Sequence, residues 1–149
     1  MKLERSVYLA NNFGAQAEMR ALRQRLGDLG IKVTSRWIDI GEHDEIRKDT
    51  RLCCWQDLID IELADALVYF ADEYNGNPGL GKHIEFGYAL ALKKPIFLIR
   101  SEGTRDSVFY HHQLVTACPS LDAYVSSVAN EILYTFLGVD DPEESEQKT

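Results

Sequence analysis

Residues 66–92, ALVYFADEYNGNPGLGKHIEFGYALAL, decide how the remainder of the chain is to be read. The apolar run Ala66 to Ala71 has the length and composition of a buried strand. Polar residues and glycines from Asp72 to Gly81 form a loop, and Lys82 to Leu92 reads as a helix. From Ile84 to Leu92 that helix is apolar all round except at Glu85, which places it in an interior. A buried strand feeding a buried helix is the repeating unit of a parallel sheet covered on both faces.

Working outward, the same alternation recurs. Upstream, Leu52, Trp55, Ile59 and Leu63 mark a helix, and Ile31 to Trp37 a strand. The stretch from Asp39 to Asp49 between them is polar and reads as a loop. Ala15, Met19, Leu22, Leu26 and Leu29 form a helical stripe that Gly30 is placed to terminate. Ser6-Val7-Tyr8-Leu9-Ala10 is the first strand, closing in Asn11-Asn12-Phe13-Gly14. Downstream, Pro95 opens the strand PIFLIR, a position where its missing N–H matters least. A weak fifth strand lies near Gln113 to Thr116. The last helix follows Pro119, with Ser120 as N-cap and Leu121, Val125, Val128, Ile132 and Phe136 on its apolar face. The expected fold is one three-layer, doubly wound (Rossmann/flavodoxin-like) α/β domain over residues 1–138, with a mostly parallel sheet of four or five strands. Residues 139–149 read as an acidic, disordered tail.

With 149 residues, 45% apolar and 27% charged, the chain suits a single globular domain. Its net charge of −8 argues against nucleic acid as a partner. No apolar run reaches the roughly 20 residues a membrane span needs. Met1 to Arg5 carry no secretory apolar region, so a cytoplasmic protein is expected. Cys53, Cys54 and Cys118, an odd set without a CxxC pair, argue against a disulfide framework or a zinc site.

Ligands of open parallel sheets bind beyond the carboxyl ends of the strands. That rule selects Asn11 to Gly14, with Asn12 and Phe13; Trp37 to Glu42; and above all Asp72 to Glu85. Glu85 is a carboxylate on a buried helix, which is costly without compensation. Set in the first turn, its charge is favoured by free backbone N–H groups, so an ionised nucleophile or base is one reading and a helix cap or arginine partner is the other. Gly76-x-x-x-x-Gly81-Lys82 has the spacing of a phosphate loop, but His83 stands where magnesium coordination requires Ser or Thr. What survives is a Gly-rich turn able to bring amides close to an anion, or an ordinary turn. Asp57 fits a solvated helix face, Tyr8 a core position and Asp65 a structural junction. His111 and His112 border either the pocket or a surface loop.

Together these residues resemble the nucleoside 2-deoxyribosyltransferase family. The matching pieces are Tyr8-Leu9-Ala10, the Asp57 to Asp65 stretch, Asp72-Glu73, and Gly79-Leu80-Gly81 followed by Glu85-Phe86-Gly87-Tyr88-Ala89-Leu90 and Lys94-Pro95. The resemblance spans roughly residues 6 to 100, extending towards 125. It implies that Glu85 attacks the anomeric carbon of a 2′-deoxyribonucleoside to give a covalent deoxyribosyl-enzyme, which a second nucleobase or water then resolves. It implies Asp72 (or Glu73) on the base, Asp57 on the deoxyribose or positioning Glu85, and Tyr8 near the nucleophile. It implies a homo-oligomer, with no cofactor and no metal. The loop Asn75 to Pro78 is longer than the family pattern, and the acidic tail has no match there. A hydrolase of deoxynucleoside 5′-monophosphates would use the loop glycines Gly79 and Gly81 with Lys82 and Arg20. Outside this chemistry stand a non-catalytic nucleotide sensor and, by fold analogy alone, an enzyme cleaving NAD.

Overall fold

Five parallel strands, β1 (Ser6–Ala10), β2 (Lys32–Val33), β3 (Ala66–Phe70), β4 (Ile96–Ile99) and β5 (Val115–Cys118), form a single sheet in the order β2-β1-β3-β4-β5. This computed structural model describes residues 6–137, so Met1 to Arg5 and the acidic stretch 139–149 lie outside the described residues. Helices α1 (Gln16–Asp28), α2 (Glu45–Lys48), α3 (Thr50–Leu63), α4 (Leu80–Ala91) and α5 (Leu121–Leu137) complete the chain. The path from β1 to β2 runs one way along the sheet and that from β2 to β3 runs back. Right-handed crossovers therefore put α1 on one face and α3 on the other, where it meets α4. The order reverses between β1 and β3, which opens a crevice at their carboxyl ends.

The central strands read as continuous apolar runs because both faces are covered. Val7, Leu9, Leu67, Val68, Ile96 and Leu98 are buried, together with Met19, Leu22 and Leu26 of α1. Gly30, at φ 80°, ends the α1 turn as its position implies. Ser120 caps α5, its hydroxyl accepting from the Ala123 N–H at 3.1 Å. Asp65 is structural, accepting from the Ser6 N–H at 3.1 Å and its hydroxyl at 3.0 Å.

Three local expectations give way to tertiary contacts. The second strand stops at Val33 instead of reaching Trp37, and Arg36–Asp39 forms a 3-10 turn. Side chains replace its backbone pairing: the Ser35 hydroxyl accepts from the Leu9 N–H at 2.6 Å, and the Trp37 indole N–H donates to the Leu9 carbonyl at 2.8 Å. The apolar stripe of α3 faces outward, with Trp55 66% and Leu63 68% exposed, while Asp60 and Ile61 are buried. Asp60 sets this rotation by holding the backbone N–H and the guanidinium of Arg36, at 2.9 and 2.8 Å. Finally, the polar Asp39 to Asp49 stretch contains the short helix α2, which Arg47 ties to Phe13 by placing its guanidinium 4.4 Å from the ring centroid.

Candidate active site

α4 begins at Leu80, two residues before the expected start, because Gly79 takes the left-handed conformation (φ 65°) and turns the loop sharply into the helix. A side chain on Gly79 would also strike the Asn12 side chain, whose Oδ1 lies 2.3 Å from an ideal Cβ. The earlier start moves Glu85 from the first turn to the second. Its carboxylate is therefore beyond the free N–H groups of the helix end. It points instead across the crevice, where the Tyr8 hydroxyl donates to Oε1 at 3.0 Å. Oε2 is buried with no hydrogen-bond partner among the described residues.

Burial, then the negative charge of Asp57, push the Glu85 carboxyl up to about 8, against the lowering effect of the Tyr8 hydrogen bond. The expected helix-end stabilisation of its ionised form is absent for the reason just given. Asp57 on α3 is pushed up to about 6 by burial and then by Asp60, and it too interacts with the Tyr8 hydroxyl. Tyr8 is fully buried on β1, and its own ionisation is displaced upward by burial and by both acids, so it remains a donor. Two carboxyls thus flank one phenol, whose single proton is donated to Glu85.

The cavity in front of them has a volume of about 410 Å³. Phe13 and Trp37, with centroids 6.2 Å apart, form an aromatic wall. Asn12, Gly79, Gly81 and Lys82 also line it, together with Asn11, Asn77 and Leu80, which the sequence did not single out. The Asn12 amide nitrogen, like Glu85 Oε2, is buried without a partner. Two orphaned polar atoms of opposite type in one crevice mark a place built for a polar ligand. Asn77 was legible only as part of a turn: its Oδ1 accepts from the Gly79 N–H at 2.9 Å and fixes the approach to α4.

A family model for nucleoside 2-deoxyribosyltransferases matches residues 7–127, which include Tyr8, Asp57 and Glu85. The chain belongs to that family. Among solved structures, the 2-deoxyribosyltransferase of Bacillus psychrosaccharolyticus is similar at 23% identity and TM-score 0.62, covering 84% of this chain and 90% of that one. The CMP N-glycosidase BcmB of Clostridium botulinum is similar at 21% identity and TM-score 0.56, covering 83% and 97%. BlsM, known from a solution structure, is similar at 18% identity and TM-score 0.59, covering 90% and 94%. At these identities the three share the fold. No curated protein sequence matches the chain.

The remaining expected site residues of this family member are held by other partners. Asp72 does not face Glu85; its carboxylate accepts from the Ser101 N–H at 3.0 Å and hydroxyl at 2.5 Å, and from the Thr104 hydroxyl at 2.5 Å. With Glu73 it lines a neighbouring cavity of about 490 Å³ against residues 102–105. Arg20 donates to the Ile38 carbonyl at 2.8 Å and does not line the crevice. Lys82 is turned inward, 2% exposed, with its ammonium 2.6 Å from the Asp72 carbonyl oxygen. His111 pairs with Asp106 at 2.8 Å on the far loop, and neither it nor His112 lines the crevice. Among the described residues no three His, Cys, Asp or Glu side chains gather as metal ligands, and no helix is long and apolar enough to cross a membrane.

Proposed function

We propose that this chain breaks the N-glycosidic bond of 2′-deoxyribonucleosides or their 5′-monophosphates, through a deoxyribosyl ester of Glu85, and passes the sugar to a second nucleobase. One observation carries the reading: Glu85 Oε1 is held by Tyr8 at 3.0 Å while Oε2 is buried and unengaged, in the crevice at the carboxyl ends of β1 and β3. A carboxylate with one oxygen oriented and the other free is suited to in-line attack on C1′. Tyr8 fixes its rotamer, Asp57 keeps its proton affinity high, and the Phe13–Trp37 wall offers a stacking surface for a base. Asn12 and the Gly79 to Gly81 turn contribute substrate contacts. No cofactor is required by this chemistry.

Transfer to water is the second reading, favoured by the similarity to a CMP N-glycosidase across nearly the whole of that chain. A homo-oligomer is supported by apolar side chains left in solvent on the α3–α4 face, Trp55, Ile59, Leu63, Leu80 and Ile84. Incubation with each deoxynucleoside and deoxynucleoside 5′-monophosphate, with and without a second free base, tests the proposal. Base exchange supports the transferase and release alone supports the hydrolase. Ligand binding without release from any substrate would replace both by a sensor.

A further inference from the structure

The proposed reaction leaves one requirement unmet by the residues so far assigned to it. A departing nucleobase carries away the bonding electrons, and an acid that meets it lowers the barrier. Glu85 is committed to the sugar, and Asp57, which the family resemblance puts on the sugar or on Glu85, acts on Glu85 by raising its proton affinity. Asp72, which the family resemblance puts on the base, faces away. Its burial favours the protonated form, but the hydrogen bonds from Ser101 and Thr104 outweigh this and hold it ionised. It has no proton to give.

Lys82 lines the same crevice from the third position of α4, three residues before Glu85, so both side chains leave neighbouring parts of one helix face. Its ammonium sits at the carboxyl end of β3, where the fold places ligands, beneath the loop and 5.9 Å from the Tyr69 ring centroid. Among the described residues the Asp72 carbonyl is its one hydrogen-bond acceptor, and no carboxylate lies within ion-pair distance. Two of its three N–H bonds are thus available. The other buried charge among the described residues, Asp60, is paired with Arg36 at 2.8 Å. A buried ammonium without such a partner is costly unless a ligand uses it. Burial also lowers its proton affinity, against the raising effect of Asp72 and Glu73, and this makes it a stronger acid.

We infer that Lys82 is the acid that protonates the departing nucleobase, an assignment that rests on the reading of Glu85 given above. As the Glu85 carboxylate bonds to C1′, the C1′–N bond breaks and its electron pair passes to the base. A proton moves from Nζ to a ring nitrogen or exocyclic oxygen of that base. The products are a deoxyribosyl ester, a neutral free base and a neutral amine. In the second half, water or an incoming base bonds to C1′ as the ester bond breaks, and the proton it sheds returns to Nζ.

The test compares Lys82→Met and Lys82→Arg with the wild type on paired substrates that differ in their need for an acid. The pairs are 2′-deoxyguanosine with its 7-methyl derivative, which departs without a proton, and 2′-deoxyuridine with 5-fluoro-2′-deoxyuridine. Each is presented as nucleoside and as 5′-monophosphate. Both variants should lose about 10²- to 10⁴-fold in base release from the ordinary member. They should stay within about tenfold of wild type on the activated one. Lys82→Arg is informative because it keeps the charge and cannot supply the proton. Equal losses on both members of a pair, or full activity of Lys82→Arg on the ordinary one, would overturn the assignment. The activated substrate also reports that the variant has folded, and if Lys82→Met does not fold, Lys82→Arg decides. A wild type that releases no base from any substrate would defeat the reading of the site itself, a different result from a failure of Lys82 alone.

Discussion

Two acid stations stand at the carboxyl end of the sheet, one on each side of Lys82, and they differ in almost every physical respect. At the first, Glu85 and Asp57 flank one phenol, Glu85 keeps an oxygen unengaged, and both are held above the ordinary carboxylate range. At the second, Asp72 is saturated by three donors from residues 101–104 and is held below it. The residue type is nearly the same; the supply of donors differs. A carboxylate whose donors are complete anchors a loop, whereas one whose donors are incomplete is left with an affinity for something else.

The comparison breaks most directly at Glu85. Glu85→Ala should reduce base release by on the order of 10³-fold or more, since the covalent route is lost. Its melting temperature at pH 8 should not fall, because a poorly solvated carboxyl has been removed. A variant retaining wild-type turnover would end the nucleophile assignment. At the other station the balance reverses. Asp72→Asn should cost about 1–2 kcal/mol of stability by weakening the 101–104 anchor. Base release measured well below its melting temperature should remain within about tenfold, and a much larger loss would return Asp72 to the chemistry.

Two pH measurements sharpen the contrast. Folding raises the Glu85 proton affinity above its ordinary value of 4.5 to about 8. Between those limits the folded chain retains a proton that the unfolded chain has released, so stability is greatest at the acidic end and declines as pH rises through about 8. Asp57 adds a decline in the same direction up to about 6. Thermal melts of Glu85→Gln should show a flatter pH dependence than wild type, and parallel curves would contradict the assigned shift. For catalysis the sign is opposite, because attack needs the ionised form: kcat/KM should rise with pH towards about 8. Asp57→Asn removes a charge that holds a proton on Glu85, so this limb should move to lower pH by about one unit. An unmoved limb would separate the two acids.

Much of this arrangement was legible in the residue pattern, and its failures have local causes. The strand–helix alternation and the Ser120 cap depend on neighbours in sequence, and the structure agrees with them. The orientation of α3 was not legible, because a single polar tether, Asp60 to Arg36, outweighs four large apolar residues in deciding which side faces the sheet. Glu85 stood out as the one charge on an apolar helix. Its proton affinity did not, because that depends on burial in the crevice and on Asp57, which α3 brings to it from far away in the sequence. The family resemblance put Asp72 (or Glu73) on the base, but the Asp72 partners Ser101 and Thr104 follow the next strand and leave no trace near it in the sequence.

The contact between Gly79 and Asn12 has a consequence for how the site comes into being. Asn12 follows β1 and Gly79 precedes α4, so the crevice is assembled from two distant stretches that meet where only a hydrogen atom fits. Any side chain at position 79 would strain the left-handed turn and drive the Asn12 side chain out of its place in the crevice. The crevice geometry is therefore a property of the joined chain, and it vanishes as one piece when either stretch comes loose. Protease sensitivity of the 72–79 loop and loss of function should rise together on heating, ahead of any loss of the sheet.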